Sequence, residues 1–156
     1  MRPQVGDPAP EFEASVVSAD GGTGTVRLAD LRGKRVVLVF YPKDATPGCT
    51  TQACGMRDGW QTLEDKAEIF GVSVDDENSH RKFIEKQLLP YPLIADTDHA
   101  IVEAYGVWVE KSMYGRTFMG TERTTFVIGA DGRIEAVLAK VKPKEHLAKL
   151  AEILAD

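Results

Sequence analysis

Apolar residues along this chain keep switching between two periods, and the switches mark its elements. Val36-Val37-Leu38-Val39-Phe40 is apolar at every position and rich in β-branched side chains, which predicts a short strand buried on both faces. Ala67 to Val74 repeats the pattern, and Leu93-Ile94-Ala95 is a shorter copy. Between these runs the period becomes helical. Met56, Trp60, Leu63 and Ala67 predict a helix from Cys49 to about Lys66, with Trp60 in the core. Phe83, Ile84 and Leu88 predict a second, over His80 to Leu88, with Asp75 to Ser79 as loop and N-cap and Pro90 and Pro92 beyond its end. Asp96-Thr97-Asp98 then caps a helix from His99 to Tyr105, closed by Gly106.

The two ends read differently. Phe12, Ala14 and Val16, then Thr25, Val26 and Leu28, alternate as in edge strands around a turn at Asp20-Gly21-Gly22. Ala29 to Gly33 is a short helical turn with a glycine stop. Thr124 to Ile128 and Ile134 to Leu138 flank Gly129-Ala130-Asp131-Gly132, an antiparallel hairpin, and Pro143 to Asp156 forms a last helix with Leu147, Leu150, Ile153 and Leu154 on one face. The alternation of strand and helix predicts an α/β layer fold. Parallel crossovers followed by a hairpin and a helix match a thioredoxin-like fold: a mixed central sheet flanked by helices, with an N-terminal β-hairpin. No repeat or long linker divides the 156 residues, so residues 1–156 read as a single domain.

The chemistry gathers after the first buried strand. Pro42, Pro47 and Gly48 break the run, and Cys49 and Cys54, the only two cysteines, follow. A cysteine opening a helix faces unpaired N–H groups and the positive end of the dipole, both of which favour thiolate. Thr46 is placed to aim a hydroxyl into the same pocket. Five residues of helix set two Cα atoms roughly 8 to 9 Å apart on different faces, beyond the roughly 7 Å that a disulfide spans. The pair therefore bonds only if the first turns unwind, which suits a redox cycle with two conformations. Two sulfurs with no neighbouring histidine make a poor zinc site, and a buried structural cysteine is out of place in a Thr-Pro-Gly loop. His80, His99 and His146 form no metal pattern. The net charge of −5 and the lack of a basic tract argue against nucleic acid and anionic membranes as partners. No apolar stretch reaches signal-peptide or membrane-span length, so the chain reads as cytosolic, where a close cysteine pair is more often catalytic than structural.

Pro42, Thr46 and Cys49 match Pro-x-x-x-Thr-x-x-Cys, and the longer FYPKDATPGCTTQAC resembles the peroxiredoxins of the PrxQ or bacterioferritin-comigratory branch, in which a second cysteine lies five residues after the first. The resemblance covers nearly the whole chain, including Tyr105-Gly106-Val107 and the strand opened by Arg123. Gln52 stands where many relatives have Glu, which alters a charge early in the helix. The resemblance implies a thiol peroxidase acting on hydrogen peroxide and organic hydroperoxides. Cys49 would be peroxidatic and Cys54 resolving, and Arg123 would point at the sulfur. Thr46 would hydrogen-bond the sulfur and Pro42 would shield it. It implies thioredoxin or glutaredoxin as reductant and no metal, haem, flavin or nucleotide. It also implies a monomer, with a weak dimer and a chloroplast origin left open. Lys43 and Asp44 read as loop ion pairs, Arg57 as a helix-face charge, and Lys111, Arg116 and Arg133 as surface charges. A disulfide oxidoreductase on the same fold would want Cys-x-x-Cys, and a redox-sensing module is the rival from outside enzymology.

Overall fold

The computed structural model describes residues 2–155. Strand β1 (Glu13–Val17) pairs antiparallel with β2 (Thr23–Arg27), the expected N-terminal hairpin. A 3-10 turn, Leu28–Leu31, leads to β3 (Val36–Phe40), which is buried at every position. Helix α1 (Pro47–Asp58), strand β4 (Glu68–Ser73), helix α2 (Glu77–Gln87) and strand β5 (Leu93–Ala95) follow. Then come α3 (Ala100–Ala104), a hairpin of β6 (Trp108–Met113) and β7 (Arg116–Thr121), β8 (Thr124–Ile128), β9 (Ile134–Ala139) and α4 (His146–Leu154). Among the described residues, one sheet has the order β2-β1-β5-β4-β3-β8-β9, and β6-β7 stands apart. β3, β4 and β5 are mutually parallel because α1 and α2 carry the crossovers. β8 runs antiparallel to β3, and β9 to β8. This is the thioredoxin-like arrangement.

The unbroken apolar run of β3 has a simple cause: both faces of the sheet are covered. Val37, Val39 and Tyr41 face a layer with Met56, Leu63, Phe83 and Leu150. Val36, Leu38 and Phe40 face the opposite layer with Tyr105 and Phe126. Cys49 belongs to the first layer.

Several boundaries differ from the sequence reading. α1 stops at Asp58 instead of Lys66, with Gly59 as its C-cap; Gly59 lies against α4, where a Cβ would meet Leu147 at 2.3 Å. Trp60–Thr62 continues only as a 3-10 turn, and Trp60 is half-buried, stacked on Tyr91 at 5.7 Å. α2 starts three residues early because Asp76, not the later Ser79, caps it, its side chain accepting from the Ser79 N–H. Leu88 is 76% exposed instead of inward-facing; it ends α2 in the left-handed conformation, and Leu89 takes the buried place. α3 is shorter than expected, because His99 has a φ of 65° and the Asp96 carboxylate accepts from the N–H groups of Ile101 and Val102. α4 starts at His146, three residues after Pro143, and Asp156 lies outside the described residues. The β6–β7 hairpin was not expected at all. Its side chains are mostly exposed, so no buried face marks it, and its turn at Tyr114-Gly115 needs two positive φ values without the usual Asn-Gly signal.

Candidate active site

The register of the sheet assembles the site. β3 pairs with β8 from Val36 opposite Ile128 to Val39 opposite Thr125. Carried two steps further, that register sets Arg123, just before β8, beside Tyr41, just after β3. Loop and helix at the carboxyl end of β3 then meet the amino end of β8.

The loop after β3 is fastened from below. Asp44, read in the sequence as part of a loop ion pair, is buried. It accepts from the Tyr41 hydroxyl at 2.6 Å and the Ser79 hydroxyl at 2.8 Å, and faces Nδ1 of His80 at 2.7 Å. His80 reaches the Ile94 carbonyl with its other nitrogen, and the Asp44 N–H donates to Asp75. Burial, and then Asp44, push the Tyr41 phenol well above its ordinary range. The sequence could not show this, because the partners come from α2 and β5. Removing one member of such a buried pair costs about 3–5 kcal/mol. The network holds Ala45 at a φ of 64°, a conformation that costs a side-chain-bearing residue roughly 1–2 kcal/mol.

The helix start follows. Thr46 is the N-cap residue and Pro47 is the first helical residue, where its missing N–H costs nothing. Cys49 therefore lies in the first turn, two residues deeper than the expected helix start. Its N–H and that of Gly48 are among the helix's unpaired donors. Cys49 is 2% exposed. The Arg123 guanidinium donates from Nη2 to the Cys49 sulfur at 3.4 Å and from Nη1 to Oε1 of Gln52 at 2.7 Å. Gly48 makes room for it, since a Cβ there would stand 3.1 Å from Nη2.

The other expected residues are less directly engaged. The Thr46 hydroxyl donates to the Lys43 carbonyl at 3.0 Å and not to the sulfur, because the tight turn at Ala45 brings that carbonyl back to it. Pro42 is half-buried in the same loop. Cys54 is half-buried, and its thiol donates to Oε1 of Gln87 at 3.3 Å. Both thiols are free and α1 is intact between them. Arg57, read as a solvated helix charge, donates to the Gln87 carbonyl at 2.7 Å and ties α1 to the end of α2. Lys111 is not a plain surface charge either. It is half-buried and lines, with Glu122, Arg123, Lys142 and Pro143, a groove of about 660 Å³. Burial, then Arg123, lower its pKa.

His146 opens α4 on the same side. Its Nε2 is 2.7 Å from the Thr125 hydroxyl, and among the described residues its Nδ1 has no partner. Burial, then Arg123, push its pKa down to about 4. The unfolded ring takes up a proton near pH 6.5 while the folded ring resists until about 4. This contribution is complete above about 6.5 and is lost as pH falls toward 4, by about 3 kcal/mol. Urea unfolding of wild type and His146→Gln across that window should show a steeper acid loss in wild type. Parallel slopes would contradict it.

With this geometry in hand, relatives can be compared. Residues 5–137 match the AhpC/TSA family. Peroxiredoxin Bcp of Bacillus subtilis (strain 168) is 44% identical, covering 100% of this chain and 98% of its own length. Peroxiredoxin Bcp of Escherichia coli (strain K12) is 44% identical over 92% and 90%. Among solved structures, the Xanthomonas campestris bacterioferritin comigratory protein has a TM-score of 0.86 at 32% identity, covering 97% of this chain and 98% of its own. A PrxQ mutant of Xylella fastidiosa has a TM-score of 0.88 at 31% identity, covering 99% and 97%. The chain belongs to the AhpC/TSA family of thiol peroxidases. Within that family it is a peroxiredoxin of the PrxQ or bacterioferritin-comigratory branch, taking peroxide as substrate and electrons from a thiol reductant.

Sequence reasoning gave Gln52 no place in the site. The available signal was its spacing: three residues after Cys49, it shares that residue's helix face.

Proposed function

We propose that Cys49 is the peroxidatic thiol, Cys54 its resolving partner, and thioredoxin the reductant. The observation that carries this is the Arg123 guanidinium on the Cys49 sulfur, at the start of a helix that also holds Cys54. A cation and unpaired N–H groups face one sulfur, donors placed where negative charge would develop in a reaction at that sulfur. The thiolate attacks one peroxide oxygen; the O–O bond breaks, and the other oxygen leaves as hydroxide or alkoxide and takes a proton. Charge spreads over sulfur and both oxygens in the transition state, where fixed donors lower the barrier. Arg123 and the Cys49 N–H supply them. Thr46, in the same loop, orients the peroxide once its hydroxyl leaves the Lys43 carbonyl, and Pro42 keeps water off by its shape.

Cys49 is then a sulfenic acid. The first turns of α1 unwind, the Cys54 thiolate attacks the Cys49 sulfur, and hydroxide leaves to become water. A reductant dithiol opens the resulting disulfide through a mixed disulfide. To reach Cys49 the Cys54 thiol leaves the Gln87 side chain. The chain works as a single-domain monomer in a reducing, cytoplasmic compartment. Among the described residues no helix is long and apolar enough to cross a membrane. Hydrogen peroxide and organic hydroperoxides are the substrates; the Xanthomonas campestris relative is described as having alkyl peroxide reduction activity.

The test is NADPH oxidation with thioredoxin reductase, thioredoxin and hydrogen or cumene hydroperoxide. Turnover dependent on thioredoxin supports the reading. Turnover with glutaredoxin and glutathione alone would reassign the reductant.

A further inference from the structure

Helix α1 is held at both of its sulfurs, and the two holds come from different sides. The Arg123 guanidinium donates to Cys49 from the amino end of β8. Five residues on, Cys54 faces another side of the helix, toward the end of α2. Its thiol donates there to Oε1 of Gln87 at 3.3 Å. Among the described residues that is the only hydrogen bond of the Cys54 side chain.

Gln87 is a firm anchor for that bond. It is the last residue of α2, which is rooted in the core by Phe83 and Ile84. Leu88 closes α2 in the left-handed conformation, and the N–H groups of Leu88 and the buried Leu89 both donate to the Ile84 carbonyl. The Gln87 main-chain carbonyl in turn accepts from Arg57 of α1 at 2.7 Å. One residue thus holds α1 twice. Its main chain takes a charge-assisted bond from Arg57, and its side chain takes a weak bond from the Cys54 thiol. The stronger bond lies three residues beyond Cys54 and stays in place while the earlier turns open. The weaker one has to break in every cycle, because a sulfur docked on α2 is not within bonding distance of Cys49.

We infer that Gln87 is a positioning residue, a latch that keeps Cys54 docked on α2 and so sets how the Cys49 sulfenic acid divides between two fates. This rests on the reading of Cys49 as the peroxidatic and Cys54 as the resolving thiol. In the first fate Cys54 leaves Gln87 and an S–S bond forms. The Cys49 S–O bond breaks, and the oxygen departs as water with the thiol proton. In the second, another peroxide meets the docked form. Its O–O bond breaks, one oxygen adds to the Cys49 sulfur to give a sulfinic acid, and the other leaves as water. The latch slows the first fate and so favours the second when peroxide is abundant.

The test mixes the reduced full chain with hydrogen peroxide, quenches it in acid and follows intact mass with time. Gln87→Met keeps the length of the side chain and removes the acceptor, while the Arg57 bond, made to the main chain, is retained. One hydrogen bond of this kind is worth about fivefold in an equilibrium. The form carrying one extra oxygen should therefore convert to the form lacking two hydrogens about fivefold faster than in wild type. In a large excess of peroxide the fraction that gains two oxygens should fall by a similar factor. Gln87→Glu keeps an acceptor of the same length and should close no faster than wild type. A Gln87→Met chain that closes no faster than wild type overturns the latch. Equal acceleration in Gln87→Glu assigns the effect to helix packing and overturns it as well. A failure of the underlying reading looks different, since wild type itself would then take up no oxygen or lose no hydrogens.

Discussion

Cys49→Ser is expected to lose peroxide consumption by on the order of 10⁴-fold or more, the scale seen when a covalent nucleophile is removed. A serine hydroxyl in the same place is protonated at pH 7 and cannot take over, since among the described residues no free base lies beside it. Nearby candidates are unsuited: His146 is bonded to Thr125, and His80 and Asp44 are committed to each other below the loop. Serine is close to cysteine in size, so the fold should survive, and circular dichroism checks that. The measurement is steady-state peroxide loss with the thioredoxin system. A variant that keeps a tenth of the wild-type rate would place the nucleophile elsewhere.

The second large effect belongs to Arg123. Arg123→Met should slow the reaction of reduced protein with hydrogen peroxide by about 10² to 10³-fold, the usual cost of removing a donor aimed at developing charge. Arg123→Lys should recover little of this. One ammonium cannot reach the Gln52 oxygen and the sulfur with the divided geometry that the guanidinium shows. Stopped-flow mixing of reduced protein with peroxide gives the rate constants directly. Near-wild-type rates in Arg123→Met would mean that the guanidinium's contact with the sulfur is structural.

Most of this site was legible in the sequence, and the part that was not has a common cause. Cys49 and Cys54 announce themselves through the strand, the Pro/Gly break and the helix, all local signals. Arg123 needed the motif resemblance as well, because only the antiparallel register of β8 against β3 carries it across more than seventy residues to the sulfur. Asp44 was misjudged since burial depends on Tyr41, Ser79 and His80 closing around it, and two of those lie on α2. Lys111 was misjudged for a related reason. It sits on a hairpin whose exposed faces leave no periodic pattern, yet that hairpin brings it into the groove beside Arg123. The boundary errors are different. Gly59 ends α1, and its close packing on Leu147 of α4 is a contact that the local sequence does not carry. Asp76 and Ser79 are both good caps, and the geometry chose the first.

The central claim is that peroxide oxidises Cys49 and that Cys54 then closes a disulfide by unwinding the helix they share. Intact mass after one equivalent of hydrogen peroxide tests it most directly, on wild type, Cys49→Ser and Cys54→Ser. The account predicts that wild type loses two hydrogens, that Cys54→Ser gains oxygen, and that Cys49→Ser is unchanged. If Cys49→Ser reacts as fast as wild type, or if Cys54→Ser takes up no oxygen, the assignment of the two thiols is wrong.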